Sequence, residues 1–369
     1  MCLSTLSRKV NPAKTRARHW ISHVQLAQEL SGRHKPQPQL YASRRAMVFL
    51  LSAILGLPKW LFMLLAAPTC LWLAAYILPL LYIRLRGTQD LKKKYNAEWA
   101  LVTGGSTGIG RAIAEALAQQ GLNVVVQGLE PELTPAIKEL QTRYASQQFV
   151  GVACSFAPGG DYLDKIKKAT NGKDIQLVFN NAGFIVTGFF DSQPLGKHLV
   201  NMECNATAAV AITHHFASLM VKNQKKGCIV FTSSASAYIP NPFAIIYGAT
   251  KAFMSQFAAS IAVELQCKGI DVCVVHPSPV ASHFYNKVEH KIDSMESFKK
   301  VAVAPSELPG DIFASVGRCV LRDVGGTAIG MRLGVSLLPY NALAHLIAVV
   351  APFLPDYTQN DTGRGMASG

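Results

Sequence analysis

Thr103-Gly104-Gly105-Ser106-Thr107-Gly108-Ile109-Gly110 stands between an apolar run, AEWALV, and an amphipathic one, RAIAEALAQQ. The first run reads as a buried strand and the second as a helix. Glycines at this junction allow a tight turn, let a pyrophosphate approach the backbone, and let the helix pack against the sheet. The helix N-terminus adds free N–H groups and a partial positive charge. Thr103, Gly104, Ser106, Thr107, Gly108, Ile109 and Gly110 are therefore candidate contacts to a dinucleotide. An ordinary βα turn is the plainer reading of the glycines, and the strand and helix around them argue against it.

The same alternation continues outward. NVVVQG, IQLVFNNAG, CIVFTSS and VCVVHPS are short β-branched runs separated by amphipathic stretches. This pattern predicts βαβ units and a doubly wound, parallel α/β sheet of the Rossmann type. Asn180-Asn181-Ala182-Gly183 follows one strand directly, at the strand end where open sheets bind ligands. Tyr247-Gly248-Ala249-Thr250-Lys251 places a phenol and an ammonium four residues apart, on one helix face. A nearby ammonium favours phenolate and fits Tyr247 for proton transfer near neutral pH. Ser234 closes the strand CIVFTSS, where its hydroxyl can hold a carbonyl oxygen. Alone, NNAG is a common turn and YxxxK a common solvated face.

Together TGGSTGIG, NNAG, Ser234 and YGATK resemble the short-chain dehydrogenase/reductase family, in order and approximate spacing, over about residues 97–332. The resemblance implies Tyr247 as acid/base, with Lys251 lowering its pKa and binding the nicotinamide ribose. It implies Ser234 as the holder of the substrate oxygen and Asn205 as the holder of a water in a proton relay. Asn181, Ala182, Gly183, Pro277, Val280 and Ser282 join the implied cofactor contacts.

Three positions depart from the family pattern. Ser155 stands where an adenine-contacting Asp is usual. Gly128 stands where NAD-preferring members carry Asp, and no Arg marks NADP at Leu129. The cofactor expectation leans to NADP(H) over NAD(H). Ser278 replaces the usual Gly after Pro277 and is expected to narrow the nicotinamide pocket.

Within the family the chain is most similar to the membrane-bound 17β-hydroxysteroid dehydrogenase and very-long-chain 3-oxoacyl-CoA reductase branch. That branch implies a lipidic substrate and the endoplasmic reticulum, with the catalytic domain facing the cytosol. A homodimer is an open expectation. The rival reading is a catalytically silent, membrane-tethered binding protein.

The chain carries a net charge of +14, unevenly placed. Residues 1–94 hold 15 of the 36 Lys and Arg and two of the 22 acids. The remainder is nearly neutral, which excludes the basic stripe of a nucleic-acid binder. The bases flank an apolar run, as beside an anionic membrane. Residues 1–45 read as a basic disordered arm and residues 46–86 as a membrane anchor. The uncharged stretch Trp60–Tyr82 is long enough to span, and Pro68 and Pro79 predict a kink or a re-entrant hairpin. Residues 90–96 read as a linker. Residues 333–369 form an apolar C-terminal segment and tail, in which Leu333–Leu354 is a span, a membrane-surface helix or a packed helix. Residues 282–303 resemble the family's substrate lid, whose Lys287, Lys291, Lys299 and Lys300 could meet the phosphates of an acyl-CoA, although a solvated, charged surface loop is the plainer reading. The eight cysteines contain no CxxC pair, so neither a metal site nor a disulfide framework is expected.

Overall fold

The computed structural model describes residues 59–282, 284 and 302–360. The expectations for the arm, for residues 46–58 and for most of the lid fall outside these residues. The chain divides into two compact units, residues 1–77 and 78–369.

Helix α1 (Lys59–Arg86) crosses the division. It continues through Pro68 and Pro79, so the expected re-entrant hairpin does not form. Each proline removes only one backbone bond, and the rest of the 28-residue ladder carries the helix past it. Its segment Ala66–Arg86 is long and apolar enough to cross a membrane.

The second unit begins with a correction. Residues 90–96 are not a linker. Asp90 caps a short helix, α2 (Leu91–Tyr95), by accepting from the Lys93 N–H. Leu91 and Tyr95, four residues apart, bury their side chains in the core. Gln89 donates to the carbonyls of Phe313 and Val316 at 2.8 and 2.9 Å, and the Tyr95 hydroxyl donates to Asp271 at 2.6 Å. Two apolar side chains on one face outweigh a polar composition.

Strands β1 (Trp99–Val102), β2 (Asn123–Gly128), β3 (Phe149–Ala153), β4 (Ile175–Asn180), β5 (Gly227–Thr232), β6 (Ile270–Pro277) and β7 (Leu321–Val324) form one sheet in the order β3-β2-β1-β4-β5-β6-β7. Every neighbouring pair is parallel. Helices α3 (Gly108–Gln119), α4 (Leu133–Arg143), α5 (Tyr162–Thr170), α6 (Leu195–Met202), α7 (Ala208–Lys222), α8 (Ile245–Gln266) and α9 (Leu308–Ser315) make the crossovers. Helix α3 packs with α9 over Ala100, Val102 and Val124. Helices α7 and α8 pack over Leu101, Val125 and Val178 on the other face. Successive residues of one strand thus feed two cores, as a sheet covered on both sides requires. The strand order reverses between β1 and β4, and a crevice opens there at the carboxyl ends of the strands.

After β7 come α10 (Gly326–Ser336), α11 (Tyr340–Val350) and α12 (Pro355–Asn360). Helix α10 and the run Tyr340–Phe353 are bent by 111° at a break around Pro339. Leu333–Leu354 is therefore a bent pair and not one straight helix, because Pro339 cannot continue α10. Leu337, Tyr340, Val349 and Phe353 are exposed on it.

Candidate active site

Each motif lies at the carboxyl edge of the sheet. Gly104 and Gly108 have left-handed φ of +60° and +56°. A Cβ on Gly110 would collide with the carbonyl oxygen of Gly104 and the Asn181 side chain, so only glycine fits there. Thr107 precedes α3 and makes no capping hydrogen bond. The first N–H groups of α3 are thereby left for an anion. A turn closed by glycines under an uncapped helix start fits the pyrophosphate of a dinucleotide.

Thr103 does its work behind this turn. Its hydroxyl accepts from the N–H groups of Asn181 and Ala182 at 2.9 and 3.0 Å. Asn181 donates to the Thr103 carbonyl at 3.1 Å and accepts from the Thr232 hydroxyl at 3.1 Å. These bonds tie β1, the NNAG turn and β5 into one floor. The sequence reading missed Gln127. Its Oε1 accepts from the Gly104 N–H at 2.9 Å and its Nε2 donates to the Cys154 carbonyl at 2.7 Å. A polar residue inside the buried strand NVVVQG was the available signal, since buried amides are there to be satisfied.

Lys251 is 4 % exposed, and its Nζ donates to the Thr232 carbonyl at 2.7 Å. Burial pushes its pKa down from the ordinary lysine value to about 8. Its Nζ lies 5.6 Å from the centre of the Tyr247 ring, one helical turn earlier on α8. The half-buried Ser234 lies two residues beyond Thr232 and begins the turn Ala235–Tyr238. Asn205 sits in a π-helical stretch, Glu203–Thr207, between α6 and α7. This extra-wide turn aims it at the loop after NNAG, where it accepts from the Phe184 N–H and donates to the Phe184 carbonyl, both at 2.9 Å. A Cβ on Gly183 would lie 3.1 Å from Asn205 Oδ1 and 3.4 Å from Lys251 Nζ. The bare backbone of Gly183 leaves room for both side chains beside it. Asn205 is 2 % exposed, which leaves the sequon Asn205-Ala206-Thr207 without access for glycosylation.

Val280 bridges to Val303, and Ser282 lies over Gly108, where a Cβ would come within 3.3 Å of it. Pro277 closes β6 below them. Ser278 does not narrow the pocket as expected. Its hydroxyl is turned to α10 and accepts from the Ala328 N–H at 3.0 Å, capping that helix from a distance. Phe284 packs on the Tyr247 ring at 5.8 Å. Near the same helix start, Phe189, Phe243 and Tyr357 form an aromatic trio with ring centres 4.6 to 5.0 Å apart. Tyr357 belongs to α12, so the C-terminal segment walls this end of the crevice.

The sequence pattern described as short chain dehydrogenase matches residues 98–293, just over half of the chain. The chain is 33 % identical over 215 residues to 17-beta-hydroxysteroid dehydrogenase type 3 of Mus musculus, covering 56 % of this chain and 70 % of that one. It is 33 % identical over 226 residues to very-long-chain 3-oxoacyl-CoA reductase of Mus musculus, covering 59 % and 71 %. It is 34 % identical over 202 residues to inactive hydroxysteroid dehydrogenase-like protein 1 of Mus musculus, covering 54 % of this chain and only 60 % of that relative's length. Its fold is similar to a 7beta-hydroxysteroid dehydrogenase structure, with a TM-score of 0.63 and 22 % identity, over 70 % of this chain and all of the other. With the glycine turn, the NNAG floor and the Tyr247/Lys251 helix in these places, the chain belongs to the short chain dehydrogenase family.

Proposed function

We propose that the protein interconverts a ketone and an alcohol on a lipidic substrate, with a nicotinamide dinucleotide as hydride carrier. The observation that carries this reading is the Tyr247/Lys251 pair on α8, where Lys251 is bonded to Thr232, two residues before Ser234, and Thr232 is joined through Asn181 to Gly104 of the glycine turn. The dinucleotide, when bound, supplies or accepts the hydride at the carbonyl carbon. Tyr247 passes its phenolic proton to the carbonyl oxygen in reduction and takes it back in oxidation. Ser234 holds that oxygen. Lys251, buried on the Thr232 carbonyl, favours the phenolate while Tyr247 is deprotonated. Asn205, in contact with Gly183, anchors the water through which Tyr247 is reprotonated.

NADP(H) is the proposed cofactor. A Cβ on Gly128 would lie 2.8 Å from Ser106 Oγ, so the space an acidic side chain would fill already belongs to a hydroxyl. Ser106 is suited to donate to a 2′-phosphate there, and nothing acidic at position 128 repels one. The aromatic trio and Phe284 support an apolar substrate. Ketosteroids and 3-oxoacyl-CoA thioesters are the two classes named by the relatives. The test is a panel of both classes with NADPH and NADH, on membranes carrying the full chain. Turnover is expected with at least one class and faster with NADPH. Dinucleotide binding without turnover on any substrate would favour a silent binding protein, the reading that the inactive relatives keep in view.

We also place the protein in the membrane of the endoplasmic reticulum, with the sheet domain on the cytosolic side and α1 as anchor. Deleting residues 1–77 is expected to release the protein from membranes washed with alkaline carbonate and to leave it folded. Deleting residues 1–90 is expected to lower its melting temperature as well, because Gln89 and the α2 cap are then lost. If the 1–77 deletion stays bound, the exposed apolar residues of α10 and α11 are the principal attachment.

A further inference from the structure

Below the catalytic helix, polar side chains from five separate elements meet in the core. Ser233 Oγ donates to the Lys251 carbonyl at 2.7 Å and lies 2.9 Å from Ser255 Oγ. Ser255 Oγ lies 2.8 Å from His276 Nε2. His276 Nδ1 faces Asp323 Oδ1 at 3.4 Å, and the Tyr238 hydroxyl donates to that same oxygen at 2.6 Å. The Arg332 guanidinium lies over the Tyr238 ring, 4.5 Å from its centre. His276 is fully buried, and Ser233, Ser255 and Asp323 are each less than a tenth exposed.

The protons can be assigned. The Asp323 carboxylate favours the proton on His276 Nδ1, by charge more than by a hydrogen bond at 3.4 Å. Nε2 is then a bare acceptor, and the Ser255 hydroxyl, which also lies 2.9 Å from the Lys251 carbonyl, gives its one hydrogen to that nitrogen. Ser233 supplies the donor for the Lys251 carbonyl. Burial holds the imidazole neutral, down at about 4, with Arg332 and Lys251 adding to that fall and Asp323 and the Arg322 backbone opposing it. One neutral ring on β6 thus joins the middle of α8, through Ser255, to β7 and the turn that Ser234 opens.

We propose that His276 is a positioning residue, which through Ser255, Asp323 and Tyr238 fixes Lys251 and the Ser234 turn at one height in the site. The proposal deepens the oxidoreductase reading and rests on it. It accounts for a fully buried imidazole with no access to substrate. Its partners end on the backbone of Lys251 on one side and on Tyr238, at the end of the turn that follows Ser234, on the other.

The test compares His276→Phe, His276→Gln and Ser255→Ala in the full chain. Gln can still accept from Ser255, whereas Phe cannot. His276→Phe is expected to lower kcat about tenfold or more, with KM and dinucleotide affinity within about twofold. His276→Gln should recover most of that loss. Ser255→Ala should resemble His276→Phe, and the double variant should be no worse than either, since coupled residues are not additive. The pKa of Lys251 read in the kcat profile should move up toward the ordinary lysine value as its seat loosens. A folded His276→Phe protein with wild-type kcat and pH profile overturns the proposal. Should His276→Phe fail to fold, Ser255→Ala with unchanged kcat and pH profile overturns it equally. A wild-type chain inert on every substrate would sink the oxidoreductase reading instead. The positioning claim is then read from stability. Lys251→Met should stabilise the wild-type background more than the Ser255→Ala background, and equal gains in both overturn it.

Discussion

Tyr247→Phe is expected to abolish turnover while leaving dinucleotide binding within about twofold of wild type. The change removes one hydroxyl and keeps the ring that packs on Phe284 at 5.8 Å. Among the described residues, Lys251 is turned to the Thr232 carbonyl, and the role proposed for the Ser234 hydroxyl is to hold the substrate oxygen by a hydrogen bond, not to release its proton. Loss of a general acid costs about 10²- to 10⁴-fold in rate. Steady-state kinetics with a dinucleotide fluorescence titration separates the two effects. More than a few per cent of wild-type kcat would remove Tyr247 from its assigned role.

Lys251→Met is expected to kill the enzyme and stabilise the dinucleotide-free fold. The folded-state pKa of Lys251, about 8, lies below the unfolded value near 10.4. Between those values the unfolded chain binds more protons, so stability rises with pH through the window and is lower below it. At pH 7 the buried ammonium therefore costs about 3 kcal/mol, by the ~1.4 kcal/mol per unit relation. Methionine fills similar space without charge but gives up the bond to Thr232, worth about 1 kcal/mol. The net gain is about 2 kcal/mol, or roughly 4–8 °C in Tm at this size. It should fade as pH rises from about 8 to about 10. A variant less stable than wild type at pH 7 would show that the ammonium is not the burden its burial implies. Such a trade of stability for activity is the expected signature of a site that keeps a charge in the core.

The sheet was legible from the sequence because its strands are buried on both faces and read as unbroken β-branched runs, such as NVVV and IQLVF. The glycine turn was legible because φ near +60° and the collision at Gly110 leave no other residue type. The Tyr247/Lys251 pairing followed from helical periodicity alone. Those are local constraints, and local constraints leave marks on neighbouring residues.

The tertiary structure decided what depends on distant partners. Residues 90–96 look like a linker until Tyr95 finds Asp271 across 176 positions of sequence. Ser278 looks like an obstruction until the Ala328 N–H claims its hydroxyl. Gln127 shows locally only that a buried amide needs partners, not that it will hold the glycine turn, and nothing local at His276 or Asp323 says that a buried imidazole will stand near Lys251. A hydrogen bond needs only two atoms within about 3 Å, and it places no periodicity on the chain that supplies them.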